Sequence, residues 1–104
     1  MSLLQYASHP SEVLSGLYLE PLGLSAGALA KRMDVPRTRI ERLVKGETGV
    51  TPDTALRLAR VLRTTPDLWL NLQRAWDLAE AQKTLDLSGL EPMPLSADGG
   101  LAAA

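Results

Sequence analysis

Residues 25–46 read SAGALAKRMDVPRTRIERLVKG. Two short helical patterns meet here across a tight joint. In the first, Leu29, Ala30 and Met33 recur at helical spacing, and Ser25 stands where a helix N-cap belongs. In the second, Pro36, Ile40, Leu43 and Val44 fall on one face at about 100° per residue, and Gly46 stops the run. Thr38, Arg42 and Lys45 then lie almost opposite that face, Arg39 and Glu41 flank them, and Arg37 sits in the first turn. Ala30 is small enough to let two helices cross closely. Asp34 suits the joint because Asp tolerates left-handed backbone better than most residues. Val35, Ile40, Leu43 and Val44 are the anchors of the second helix. Small residue, tight turn, anchors and a polar outer face together describe a helix-turn-helix.

Charge sharpens this reading. The chain of 104 residues has a net charge of −1, yet residues 31–45 carry six basic residues against two acidic ones. Residues 1–30 hold two acids and no base, and residues 65–104 hold six acids against two bases. A local basic surface on a near-neutral body implies docking in one orientation rather than general attraction to polyanions. Charge alone is equally compatible with a solvated helix face, so the pattern of anchors carries the argument. The second helix is expected to enter the major groove of double-stranded DNA. Arg42, Thr38, Arg39 and Arg37 are the expected base-reading residues. The planar fork of Arg42 matches the O6/N7 edge of guanine, and the other three lie toward the helix N-terminus. Lys45, Ser25 and Thr48 are assigned to phosphate, Ser25 because it opens a helix whose N–H groups favour anions. Glu41 is expected to pair with Lys45 one turn on, or to accept from a cytosine amino group.

Outward from this pair the chain stays helical. Four segments open with X-Pro, at 9–12, 35–38, 51–54 and 65–68, and proline suits the first helical position. Thr51 and Thr65 are good N-caps, with Asp53 and Asp67 at the positive ends of their helices. Five helices are expected: about Pro10–Leu19 with Val13, Leu14, Leu17 and Tyr18 inward and Pro21 and Gly23 as stops; Ala26–Met33; Pro36–Lys45; Pro52–Leu62; and one from Pro66 past Glu80. The fold class is therefore all-α, with an arm at 1–8, one domain at 9–84 and an extended or disordered tail at 85–104. Within that tail, Leu87–Met93 can pair as a short edge strand, for instance across a dimer. With no phenylalanine, leucine and the two tryptophans must build the core. Trp69 is expected inside, and Trp76 with Leu72 along a dimer seam.

Other chemistries find little support. Cysteine is absent and His9 is the single histidine, so thiolate metal ligands and a catalytic triad are excluded. His9 precedes Pro10, where capping the first helix is its expected use. No phosphate-cradling loop is present, no cofactor is expected, and no apolar run approaches the ~20 residues of a membrane span. A cytoplasmic location and no enzymatic activity are the expectations.

Several stretches together resemble the HigA group of antitoxins within the lambda-repressor-like helix-turn-helix class. They are HPSEVL, YLEPLGLS, ALAKRMDVPRTRIERLVKGE, TPDTALRLARVL and TTPDLWLNLQRAWDL, spanning about residues 9–80. The resemblance implies a five-helix fold, a homodimer, an operator ahead of the module's own genes, and a HigB-like ribonuclease toxin as partner. Two departures stand out. The wider class often has Gln at the start of its second helix, where this chain has Ala26 followed by Gly27. A turn glycine is replaced by Asp34. A stand-alone transcriptional repressor of the same fold and a pure protein-interaction module are the alternatives.

Overall fold

The computed structural model describes residues 7–95, and the arm expected at 1–8 and the tail at 85–104 lie partly outside them. Five helices follow one another: α1 (Pro10–Leu22), α2 (Ala26–Met33), α3 (Arg37–Val44), α4 (Pro52–Leu62) and α5 (Pro66–Thr84).

The helix starts obey local chemistry. Ser25, Thr51 and Thr65 each accept, through the side-chain oxygen, the N–H three residues on, at 3.1, 3.3 and 3.2 Å. His9 does the same for α1, its Nδ1 accepting from the N–H of Ser11 at 3.1 Å. Pro36 departs from the X-Pro pattern: it is the N-cap of α3, with extended backbone, and the helix proper begins at Arg37.

Helix α1 differs most from expectation. It continues through Pro21 to Leu22, and Gly23 ends it at φ +61°. Its middle, Leu14–Leu19, is a π segment, in which the Glu20 N–H donates to the carbonyl of Ser15. The wider turn precedes Pro21, whose ring would otherwise crowd the carbonyl four residues back. It also changes the inward register. Leu14 and Leu19, five apart, are buried, whereas Leu17 is 68% exposed rather than inward.

The core gathers Leu14, Leu19, Leu29, Met33, Ile40, Leu43, Leu58 and Trp69. Trp69 is fully buried, donates from Nε1 to Thr64 Oγ1 at 2.8 Å, and tilts against Tyr18. Leu72 packs on this core, and Trp76 stands in a T-shaped arrangement with the buried His9 ring, centroids 5.2 Å apart. Helix α2 lies at 97° to α1. Ala30, 1% exposed, makes the close crossing of α2 and α3 possible. Beyond α5, residues 85–94 form no helix or strand, Leu95 stands in an isolated β-bridge, and all are exposed, so the segment Leu87–Met93 is unpaired within the described chain.

Candidate nucleic-acid interface

The joint of the helix pair is built as the sequence implies, with one unforeseen brace. Asp34 ends α2 at φ +56°, and its N–H and that of Val35 bond back to carbonyls of α2. Left-handed backbone is disfavoured for any residue with a Cβ. Arg57, one turn into α4, crosses over and donates from Nη1 to the carbonyls of Met33 at 2.8 Å and Asp34 at 3.3 Å. These are among the carbonyls a helix C-terminus leaves without partners. Arg57 thus holds the joint and fixes where α3 leaves it.

Asp53 ties the same region together. It accepts from Arg57 Nε at 3.1 Å and from Arg39, while Arg39 also donates to the buried Thr54 at 2.8 Å. The hydrogen bond from Arg39, then that from Arg57, holds the Asp53 carboxyl below the usual carboxylate range. Arg39 is consequently drawn toward α4, while still lining one groove with Thr38 and Arg42. Its guanidinium locks α3 onto the start of α4.

The remaining cations keep to the open face. The Arg42 side chain is 64% exposed and, among the described residues, pairs with Glu47 alone, 3.8 Å away. Arg37 is 73% exposed and donates from Nε to Glu41 at 3.3 Å. Glu41 therefore pairs backward with Arg37 rather than forward with Lys45, which is exposed. Thr38, Arg39, Arg42 and Thr48 line one groove together with Gly49 and Thr51, between α3 and the loop before α4. Ser25 stands exposed at the start of α2 with its hydroxyl oxygen engaged as the cap. A groove flanked by unburied cations and hydroxyls, on the outer face of a short helix, suits phosphates and base edges.

The loop that carries Thr48 is itself anchored from α5. The Val50 N–H donates to Gln73 Oε1 at 2.7 Å, and a methyl group on Gly49 would stand 2.8 Å from that oxygen. Gln73 in turn donates to Asp77. Sequence reading missed Arg57 and Gln73 as shaping residues. The Asp53–Arg57 spacing of four was a legible pair, but neither residue's reach across the fold has a local signal.

Among the described residues no group of side chains is arranged to hold a metal ion, and no single helix is long and apolar enough to cross a membrane.

Comparison with known proteins points the same way. The sequence model of a helix-turn-helix family matches residues 17–69. Virulence-associated protein I of Dichelobacter nodosus is 45% identical over 92 residues, covering 88% of this chain and 84% of that protein. The structure of the antitoxin GraA in complex with its operator superposes with a TM-score of 0.78 at 35% identity, covering 83% of this chain and 90% of that one. The antitoxin HigA of Pseudomonas aeruginosa, solved with the higBA promoter, superposes with a TM-score of 0.76 at 30% identity, covering 83% and 97%.

Proposed function

Because the chain belongs to the helix-turn-helix family, in its HigA-type antitoxin group, we propose that it binds an operator with α3 and restrains a toxin encoded beside it. It is an antitoxin of the DNA-binding kind, and the single observation that carries the finer reading is the groove of Thr38, Arg42 and Thr48 on the outer face of α3. Arg42 reads a base edge, with Thr38 and Arg37 beside it nearer the helix N-terminus. Lys45, Thr48 and the start of α2 at Ser25 take phosphates. Arg39 lines the same groove and keeps α3 seated on Asp53 and Thr54.

The operator is double-stranded and palindromic, and the protein meets it as a homodimer. Two α3 helices then lie about 34 Å apart, one turn of DNA. Trp76 and Leu72 are the proposed seam, each only partly covered by its own chain. The exposed side chains of Leu78, Leu85, Leu87, Leu90 and Met93 extend the apolar surface beyond α5, and support pairing in this region.

The toxin is a HigB-like ribonuclease of basic character. The six acids among residues 65–104, or the acidic α1, give it a complementary surface. The protein works in the bacterial cytoplasm without a cofactor and without catalysis of its own.

The test is titration of the purified chain with DNA from upstream of its own gene and with scrambled DNA, at two salt concentrations. Co-purification with the product of the adjacent gene runs in parallel. Salt-sensitive preference for the upstream DNA supports the operator assignment, and a stable complex supports the toxin assignment. Equal binding to both DNAs refutes the first, and separation of the two proteins on a sizing column refutes the second.

A further inference from the structure

The first turns of α2 and α3 approach each other at Gly27 and Arg37. A methyl group built on Gly27 would stand 2.9 Å from Cδ of Arg37 and 3.4 Å from its Cγ. The aliphatic stem of Arg37 therefore occupies the space that any larger residue at 27 would fill. Farther out, Arg37 Nε donates to Glu41 Oε1 at 3.3 Å. The side chain runs beside Gly27, is bonded to Glu41 and is still 73% exposed, with its two Nη groups carrying no hydrogen bond to the described residues.

Gly27 has no backbone reason to be glycine. It lies inside α2 with ordinary helical backbone, where glycine is less favourable than alanine. The helix gives up stability here, and the visible return is the seat for Arg37. An arginine already fixed along its stem loses less freedom when its fork meets a partner.

We infer that Gly27 is a positioning residue for DNA recognition: it seats Arg37 across the start of α2, so that the guanidinium meets the DNA in front of both first turns. This rests on the proposed reading of DNA by α3. Glu41 is the second half of the seat.

The experiment is a double-mutant cycle on operator binding and thermal stability, with Gly27→Ala, Arg37→Ala and the double variant, and Arg42→Ala as an independent check on α3. Gly27→Ala is expected to raise Tm by roughly 4 °C while weakening operator binding about tenfold. Arg37→Ala is expected to weaken binding to a similar degree. In the Arg37→Ala background, Gly27→Ala should change affinity by less than about twofold, because both act through one side chain.

Two results would overturn the inference. One is unchanged affinity for Gly27→Ala. The other is an undiminished loss in the Arg37→Ala background, which would mean that the Gly27 backbone itself meets the DNA. Failure of the parent reading looks different: Arg42→Ala would then bind as the unaltered chain does, and this inference would fall with it.

Discussion

Arg39 and Arg42 stand one turn apart on the same helix and do opposite things. Arg39, with its side chain 35% exposed, ends on Asp53 and Thr54 of α4. Arg42, 64% exposed, has Glu47 at 3.8 Å as its one ion-pair partner among the described residues. A second pair repeats the contrast. Arg57 is spent on carbonyls of the α2–α3 joint, while Arg37 keeps its terminal groups outside. Exposed ion pairs such as Arg42–Glu47 contribute about 0–1 kcal/mol, so a phosphate or a base edge displaces the glutamate readily. A guanidinium bound to helix carbonyls is less free, since leaving gives up two charge-assisted hydrogen bonds to helix C-terminal acceptors. What an arginine does here follows from what its fork meets, and not from the helix it belongs to.

Arg42→Ala breaks the comparison at its most sensitive point. Operator affinity should fall about 10- to 100-fold, the scale of one lost base-reading arginine. Thermal stability should stay within about 0.5 kcal/mol, because the side chain braces nothing. A melting curve and a binding titration on the same preparation check both halves. Arg57→Ala is the converse. Unfolding free energy should drop by about 1–2 kcal/mol, measured by denaturant titration, as the joint carbonyls lose their charged donor. DNA binding should suffer only as far as α3 loses its seat.

Gly46→Ala probes the end of α3. At φ +76° a side chain is strained, and the cost should be about 1 kcal/mol in the same titration. The smallest expected effect concerns acid. The Asp53 carboxyl titrates lower in the folded chain than in the unfolded one, chiefly through Arg39. Its contribution is complete above the ordinary carboxylate value of 3.8 and fades as pH falls below it through the lowered value. Between neutrality and that value, Asp53→Asn should therefore lower stability slightly, with the difference from the unaltered chain closing in stronger acid.

The helices are largely legible in the amino-acid sequence. Ser25, Thr51 and Thr65 signal helix starts through bonds confined to four residues, and the inward stripes of α2 and α4 follow a plain 3.6-residue period. Helix α1 departs from its expected end and at Leu17 because a π segment leaves no periodic mark, and Pro21 looks like a stop when it is only a passenger. The open face of α3 is legible for the same reason as its anchors, being simply their opposite. Contacts made across the fold leave no such trace. Arg57 reaches a carbonyl 24 residues away, and Gln73 holds an N–H 23 residues away. Periodicity places Arg39 and Arg42 on neighbouring parts of one face. Only the position of α4 tells them apart. Gly27 is visible as an unfavourable residue, but its use depends on where the stem of Arg37 runs.

The outer face of α3 is the surface proposed to meet the operator. Titrating the isotope-labelled protein with upstream DNA, while following backbone amide resonances, tests it residue by residue. The largest shifts should fall on Arg37–Lys45, Thr48 and the first turn of α2, with α5 beyond Gln73 little changed. Shifts concentrated on α5 or on residues 85–95, with α3 silent, would contradict it.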